Sequence, residues 1–239
     1  MMEQFSASAH PRARSIGLVY LLYFLTSVSG GLLLKPLVLP NDAAGTAHSI
    51  LANEALYQLG VSLGLVGNAL YIGLTALFYD LLRPVGARVS LLFAFFSLAG
   101  CVVQLVGTLL QIAPLVMLQD NHLLSAFQPE QVQAAVMLSL KMYSQVYYVS
   151  FVLFGLFDFC IGWLIFRSTF LPWFLGVLMM LGGVGALAFL WPPIAARFFV
   201  YLVGVGGVAE LALLLWLLFM GVSIAKWRSK TGLGEDQTG

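Results

Sequence analysis

The sequence predicts an all-α protein, a polytopic membrane bundle of six transmembrane helices with a short amphipathic helix in its first outer loop. Three observations lead to this fold class. Of the 239 residues, 61% are hydrophobic and 9% are charged, whereas about a quarter of the residues of a soluble domain are charged. Six apolar runs reach the roughly 20 residues that an α-helix needs to cross a bilayer. Polar connectors with proline or glycine separate these runs.

The six runs are predicted to form one transmembrane bundle over residues 1–225. A short basic and then disordered cytoplasmic tail is predicted over 226–239. The first run follows Arg12 and Arg14 and is about as long as a span, which favours a retained helix over a cleaved signal peptide. The predicted spans cover about residues 15–38, 57–79, 89–117, 136–166, 172–192 and 198–222.

Lys and Arg are distributed unevenly between the two sets of connectors. One set holds Arg12, Arg14, Arg83, Arg88, Arg167, Lys226, Arg228 and Lys230, and the other holds only Lys35, Lys141 and Arg197. Positive residues collect on the cytoplasmic side of membrane proteins. The distribution therefore predicts a plasma-membrane protein with both termini in the cytoplasm. Several Trp and Tyr residues near span ends, among them Tyr57 and Trp227, are predicted to be interfacial anchors.

Several segments resemble one family of membrane proteins. They read PNDAAGTAHSILANEALYQLG before a Gly-rich span, then ALFYDLLRPV, LSAFQPEQVQA and LFGLFDFCIGWLIFRSTFLPWFLGVLMMLGG. In this order they are similar to the bacterial membrane family of the domain of unknown function 4386, over most of residues 12–190. The resemblance implies a multi-pass architecture and no particular reaction. A His often follows the FGL of the fourth span in this family; here Phe157 stands there, followed by Asp158, so no role of that His carries over.

Motifs for common intramembrane chemistry are absent from the sequence. Because His10, His48 and His122 all lie outside the spans, neither b-type haem binding nor an intramembrane histidine base is predicted. There is no Walker loop and no HExxH. The net charge of +1 gives no indication of a nucleic-acid partner. We therefore expect no cofactor and no metal, with the lipid bilayer as the partner; a protein partner or a homo-oligomer stays open.

Two carboxyl groups are predicted near the middle of the bilayer. Asp158 lies nine residues before Arg167, which places it about 13 Å into the bilayer. Glu210 lies 12 residues after the start of its predicted span and 16 before Lys226. Hydrocarbon disfavours an ionised carboxylate, so residues of this kind are candidates for proton or ion handling. The alternative is a neutral carboxyl that hydrogen-bonds across helices.

A second group of polar residues lies in the second and third spans. Asn68 belongs to the second span, and five residues of the third share one helical face through spacings of four and three: Ser97, Cys101, Gln104, Thr108 and Gln111. Because lipid would leave the amides unsatisfied, this face is expected to look into the bundle. We take Gln104, Gln111 and Asn68 as a candidate polar site. A polar cavity and interhelical hydrogen bonding both stay open.

The first connector carries helix signals and weak candidates for an outer-face site. Asn41 or Asp42 is placed to cap a short helix, and Asn53 is placed to cap the next one. The apolar face of the short helix is predicted to consist of Ala43, Ala47, Ile50 and Leu51. The outer-face candidates have no metal-ligand spacing, and they are Asp42, His48, Glu54 and His122.

Three functions remain open from the sequence. The first is a non-catalytic accessory, regulatory or lipid-interacting protein, because no catalytic constellation is recognisable. The second is a small proton-coupled transporter that uses Asp158 and Glu210, with Gln104 and Gln111 lining a path. The third is a membrane-embedded lipid-modifying enzyme with its site at the outer face. We expect the first, and we do not expect an enzyme.

Overall fold

A computed structural model of the chain describes residues 9–120, 125–223 and 226–227. Over these residues the chain forms helices and turns and no strand. Six helices are long and apolar enough to cross a membrane. The predicted all-α fold with six transmembrane helices is therefore confirmed, and the chain is a multi-pass membrane protein.

The helices follow the predicted spans and in several cases extend beyond them. They are α1 Ala9–Leu34, α2 Ala43–Ala52, α3 Glu54–Leu82, α4 Ala87–Gln119, α5 Pro129–Arg167, α6 Trp173–Ala186 and α7 Pro192–Leu215. Helices α3, α4 and α5 contain 29, 33 and 39 residues, more than the roughly 20 that hydrocarbon requires. A 3₁₀ turn follows α1 and another follows α6, and a π-helical turn over Trp216–Met220 follows α7.

Two helices begin at prolines that lie before the predicted start of the corresponding span. Helix α7 starts at Pro192, six residues before the predicted start of the last span, and α5 starts at Pro129. Proline suits the first positions of a helix because the N–H groups there have no intrahelical partner. The connector before α7 is therefore shorter than predicted.

The short helix α2 in the first connector is present, and Asp42 caps it as predicted. The Asp42 carboxylate accepts a hydrogen bond of 2.7 Å from the N–H of Gly45. Ala47 and Ile50 are buried, whereas Leu51 is 46% exposed. Of the predicted apolar face, Ala47 and Ile50 pack inside the protein.

Asn53 lies between α2 and α3 and does not cap α3 through its side chain. Its amide nitrogen donates instead to the carbonyl of Ser49, at 3.0 Å. The backbone carbonyl of Asn53 accepts from the N–H of Tyr57, also at 3.0 Å. Asn53 thus ends α2 with its side chain and begins α3 with its backbone.

The chain forms two compact units. Unit 1 consists of Met1–Leu21, Tyr71–Gly100 and Phe151–Gly239, and unit 2 consists of Leu22–Leu70 and Cys101–Ser150. Helices α1, α3, α4 and α5 each contribute one part to each unit, whereas α6 and α7 belong to unit 1 alone. The single bundle expected from the sequence stays a prediction.

Unit 2 has its own hydrophobic core. It is built from the 3₁₀ turn after α1, from α2, from the beginnings of α3 and α5 and from the end of α4. Tyr57 is fully buried in it, so the prediction that Tyr57 is an interfacial anchor is wrong. The core residues are Leu37, Ala47, Ile50, Tyr57, Val61, Leu115, Leu118, Val132, Val136 and Leu140.

The C-terminal segment of unit 1 folds back after α7. Gly221 has a φ of 68°, a left-handed conformation that glycine adopts without steric cost. The indole N–H of Trp227 then donates to the carbonyl of Leu81 at the end of α3, at 3.2 Å. Trp227 is buried rather than an interfacial anchor. Of the predicted disordered tail, residues 228–239 lie outside the described residues.

Candidate functional site

Glycines bring α5 and α6 of unit 1 into direct backbone contact. A Cβ on Gly183 would lie 2.5 Å from the carbonyl oxygen of Gly155, and one on Gly162 would lie 2.7 Å from that of Gly176. Gly155 and Gly162 are seven residues apart in α5, as are Gly176 and Gly183 in α6, so each pair spans about two turns. Only glycine allows helices to approach this closely.

The same close packing continues from α6 to α7. A Cβ on Gly182 would lie 3.1 Å from the Cα of Gly206 and 3.7 Å from the Cβ of Ala209. Helix α6 is thus thin on both of these sides, towards α5 and towards α7. Asp158 lies between the two contact glycines of α5, and Glu210 directly follows Ala209 in α7.

Asp158 and Glu210 are neighbours in unit 1. They lie close enough for their charges to interact. Asp158 is only 7% exposed, and its Oδ1 is buried with no hydrogen-bond partner among the described residues. Glu210 is partly buried. The two carboxyls that the sequence places near the middle of the bilayer therefore come together.

Tyr20 of α1 completes this group, which we call the acid pair site (Tyr20, Asp158 and Glu210). The hydroxyl of Tyr20 is hydrogen-bonded to the Glu210 side chain. The Tyr20 ring is 2% exposed and packs edge-on against Phe78, with 5.9 Å between ring centroids. Helix α1 comes close to the π-helical turn that follows α7, since a Cβ on Gly17 would lie 2.7 Å from the backbone nitrogen of Leu218.

The acid pair has no cation nearby on its own helices. On α5 the first basic residue after Asp158 is Arg167, nine residues away, and on α7 Arg197 lies 13 residues before Glu210. Like charges close together at low dielectric are strongly disfavoured. Two ionised carboxylates side by side are therefore disfavoured at this site.

Phe157, which directly precedes Asp158, lies in an aromatic cluster. Its ring makes edge-on contacts with Phe93, at 5.6 Å between centroids, and with Tyr71, at 5.7 Å. Phe157 is 2% exposed. Phe157 therefore serves in apolar packing, and the ionisable group of this part of α5 is the neighbouring Asp158.

In unit 2 the predicted polar site is partly assembled, around Asn68 of α3 and Gln104 of α4. The Asn68 amide nitrogen donates to Gln104 Oε1 at 3.2 Å and to the carbonyl of Cys101 at 3.3 Å. Because a backbone carbonyl is only an acceptor, the second bond fixes which end of the amide faces it. Asn68 Oδ1 is then buried without a hydrogen-bond partner in the described part of the chain.

Gln111 lies seven residues after Gln104 in α4 and has other hydrogen-bond partners. The Tyr57 hydroxyl donates to the Gln111 backbone carbonyl at 2.6 Å, and the Gln111 side chain is hydrogen-bonded to Tyr143. Pro114 lies three residues later within α4, and a proline inside a helix frees carbonyls of the preceding turn. Tyr57 therefore bonds a carbonyl in the turn that precedes the proline.

The remaining members of the predicted polar stripe also form hydrogen bonds. In unit 1, Ser97 of α4 and Thr75 of α3 are joined by a bond of 2.6 Å between their hydroxyls. In unit 2, Thr108 donates to the carbonyl of Gln104 on its own helix, at 3.0 Å. The stripe thus contributes both to bonds between helices, through Ser97 and Gln104, and to a bond within α4, through Thr108.

The weak outer-face candidates have local helix-end roles or lie apart. Asp42 caps α2, and Glu54 in the first turn of α3 accepts a bond of 3.1 Å from Gln58. His48 is exposed, and His122 lies outside the described residues. Over the ranges that the structure describes, no three His, Cys, Asp or Glu side chains are grouped as metal ligands would be.

Sequence reasoning missed the three tyrosines of these sites. Tyr20, Tyr57 and Tyr143 each hydrogen-bond a polar residue inside the spans. The available signal was a tyrosine within an apolar run, because a buried tyrosine needs a partner for its hydroxyl. That signal does not name the partner.

The comparisons with known proteins agree with the architecture. The family described as domain of unknown function DUF4386 matches residues 15–221, which include all six spans in whole or in greater part. No curated protein and no solved structure matches the chain. The match covers far more than half of the 239 residues, and the chain therefore belongs to the DUF4386 family.

Proposed function

We propose that this protein is a small proton-coupled transporter whose acid pair site binds and releases the proton. The observation that carries the proposal is the buried Oδ1 of Asp158, which has no hydrogen-bond partner in the described residues and lies beside a second carboxyl. A carboxyl that only holds helices together is expected to be hydrogen-bonded to another helix. Buried polar groups without such a role are typical of functional sites in membranes.

The acid pair site combines residues from three helices, and its two carboxyls share one exchangeable proton. Tyr20 comes from α1, Asp158 from α5 and Glu210 from α7. Loss of the proton puts a second negative charge beside the first, and uptake removes it. Since charge repulsion acts between α5 and α7, the protonation state of the pair biases how these helices pack. This is the coupling between proton binding and conformation that a carrier requires.

The two other functions receive less support. An accessory or lipid-interacting role, which the sequence favours, needs no acid pair and leaves its cost in stability unexplained. A lipid-modifying enzyme would need the outer-face candidates in one site, but Asp42 and Glu54 are engaged at helix ends. The accessory role is the expected conclusion if removal of the carboxyls changes no activity.

We propose further that the protein lies in the plasma membrane with both termini in the cytoplasm. Support comes from the distribution of Lys and Arg, because eight of the eleven lie in one set of connectors. The lipid bilayer is its proposed partner. A reporter fused to the C-terminus that is active only in the cytoplasm tests the orientation.

The test of transport is reconstitution of the full chain in liposomes that contain a pH-sensitive dye. The native protein is compared with Asp158→Asn and Glu210→Gln under an imposed pH gradient. Asp80→Asn and Glu130→Gln are the matched controls, because both residues are exposed. We expect proton flux in the native protein and in the controls, and its loss in both acid pair variants.

Two results would reject the transporter. One is negligible proton flux in the native protein that equals the flux of both acid pair variants. The other is a flux in all proteins that does not depend on either carboxyl. Empty liposomes give the leak that is subtracted from each measurement.

A further inference from the structure

We infer that Tyr20 is a positioning residue that fixes which carboxyl of the pair holds the proton: Asp158 is the neutral acid and Glu210 carries the charge. The inference rests on the proposed function in one respect, that the pair holds a proton. It adds an assignment within the pair and a role for a residue of α1.

The two carboxyls differ in the donors that they receive. The Glu210 carboxylate accepts a hydrogen bond from the hydroxyl of Tyr20. Asp158 has a buried oxygen with no partner among the described residues. A donor to a carboxylate stabilises its charged form, whereas burial without a donor disfavours it. The charge therefore belongs on the carboxyl with the donor.

Packing holds the Tyr20 hydroxyl in place. The ring is almost completely buried and lies at 89° to the ring of Phe78. The close approach of Gly17 to Leu218 fixes α1 against the π-helical turn that follows α7, about one turn from Tyr20. A donor that is oriented in advance stabilises a charge without having to reorganise.

The test is infrared spectroscopy of the full-length protein in lipid, which resolves the carbonyl stretch of a neutral carboxylic acid. Spectra of the native protein, Asp158→Asn, Glu210→Gln and Tyr20→Phe are compared in light and heavy water. We expect one deuterium-sensitive acid band that Asp158→Asn removes and Glu210→Gln keeps. Tyr20→Phe should divide the band between two positions, because the donor that distinguishes the carboxyls is gone.

Tyr201→Phe is the matched control, since Tyr201 lies on the same helix as Glu210 and is 73% exposed. It should leave the band unchanged. Circular dichroism checks that each variant is folded. Should Tyr20→Phe fail to fold, 3-fluorotyrosine at position 20 keeps the ring and strengthens the donor, and the band must then shift.

The outcomes separate the inference from the proposed function. A band that Glu210→Gln removes and Asp158→Asn keeps would place the proton on Glu210 and overturn the inference alone. A band that neither Tyr20→Phe nor the fluorinated residue alters would overturn the role of Tyr20. No acid band in the native protein would overturn both, because the pair would then hold no proton.

Discussion

The acid pair of unit 1 and the amides of unit 2 respond differently to the same problem of polar groups inside a membrane protein. Each includes one buried oxygen with no partner in the described residues, on Asp158 and on Asn68. Asn68 nevertheless joins α3 to α4 through two hydrogen bonds. Asp158 makes no such bond among these residues. The amides join two helices, whereas the buried oxygen of Asp158 has no such use among the described residues, as expected if the acid pair has the proposed role.

The largest expected effect tests how the acid pair is positioned. Gly183→Ala puts a Cβ 2.5 Å from the Gly155 carbonyl oxygen and 2.7 Å from the Phe159 nitrogen. Because backbone atoms cannot move aside as side chains do, we expect a loss of about 3 kcal/mol in unfolding free energy. Reversible unfolding in mixed detergent micelles measures it.

Gly185→Ala is the control on the same helix. Its Cβ would meet only a Leu202 methyl, at the ordinary contact distance of 3.8 Å. We expect its stability to stay close to that of the native protein. Equal stability of the two variants would contradict direct backbone contact between α5 and α6.

The next effect concerns the amides of unit 2. Asn68→Leu removes the bonds to Gln104 and Cys101, and we expect a loss of about 1 to 2 kcal/mol in the same unfolding assay, since interhelical bonds in membranes contribute about 0.6 kcal/mol each on average. Thr108→Val is the control, because Thr108 bonds within its own helix. A stability of Asn68→Leu equal to that of the native protein would show that these bonds do not hold α3 to α4.

The third effect has the opposite sign and tests the comparison directly. Asp158→Leu removes a buried oxygen that has no partner, so we expect unfolding free energy to stay the same or to rise by about 1 kcal/mol. Proton flux in liposomes should disappear in the same variant. A destabilisation as large as that of Asn68→Leu would instead mean that Asp158 is part of a helix contact.

The smallest effect is expected at Tyr57. Tyr57→Phe leaves the ring in the core of unit 2 and removes one bond to the Gln111 carbonyl. We expect a loss of about 0.6 kcal/mol, the average for such a bond in a membrane protein. Tyr201→Phe, at an exposed position, is the control. An unchanged unfolding free energy for Tyr57→Phe would show that the freed backbone near Pro114 has another partner.

Hydropathy alone was enough to predict the six spans and the class of the fold. Counting residues along the spans also singled out Asp158 and Glu210, which lie beside each other in the structure. These features depend on composition and on the rise of a helix, which are local properties of the chain. The cap at Asp42 is local in the same way.

The partners of the polar residues could not be predicted because they depend on which helices touch. Tyr20 and Tyr57 bond residues that are far away in the sequence. Their helices are brought together by backbone contacts such as that of Gly17 with Leu218. Hydropathy does not distinguish a helix face that meets lipid from one that meets another helix.

The glycines between α5 and α6 restrict which substitutions the chain can accept during evolution. A single extra methyl at Gly155, Gly162, Gly176 or Gly183 would meet backbone or Cβ atoms at less than 3 Å. Apolar lipid-facing positions can exchange Leu, Val and Phe freely during divergence, but these four cannot accept any side chain. A descendant that inherits the α5–α6 contact, and with it the placement of the carboxyl at 158, must therefore inherit all four glycines.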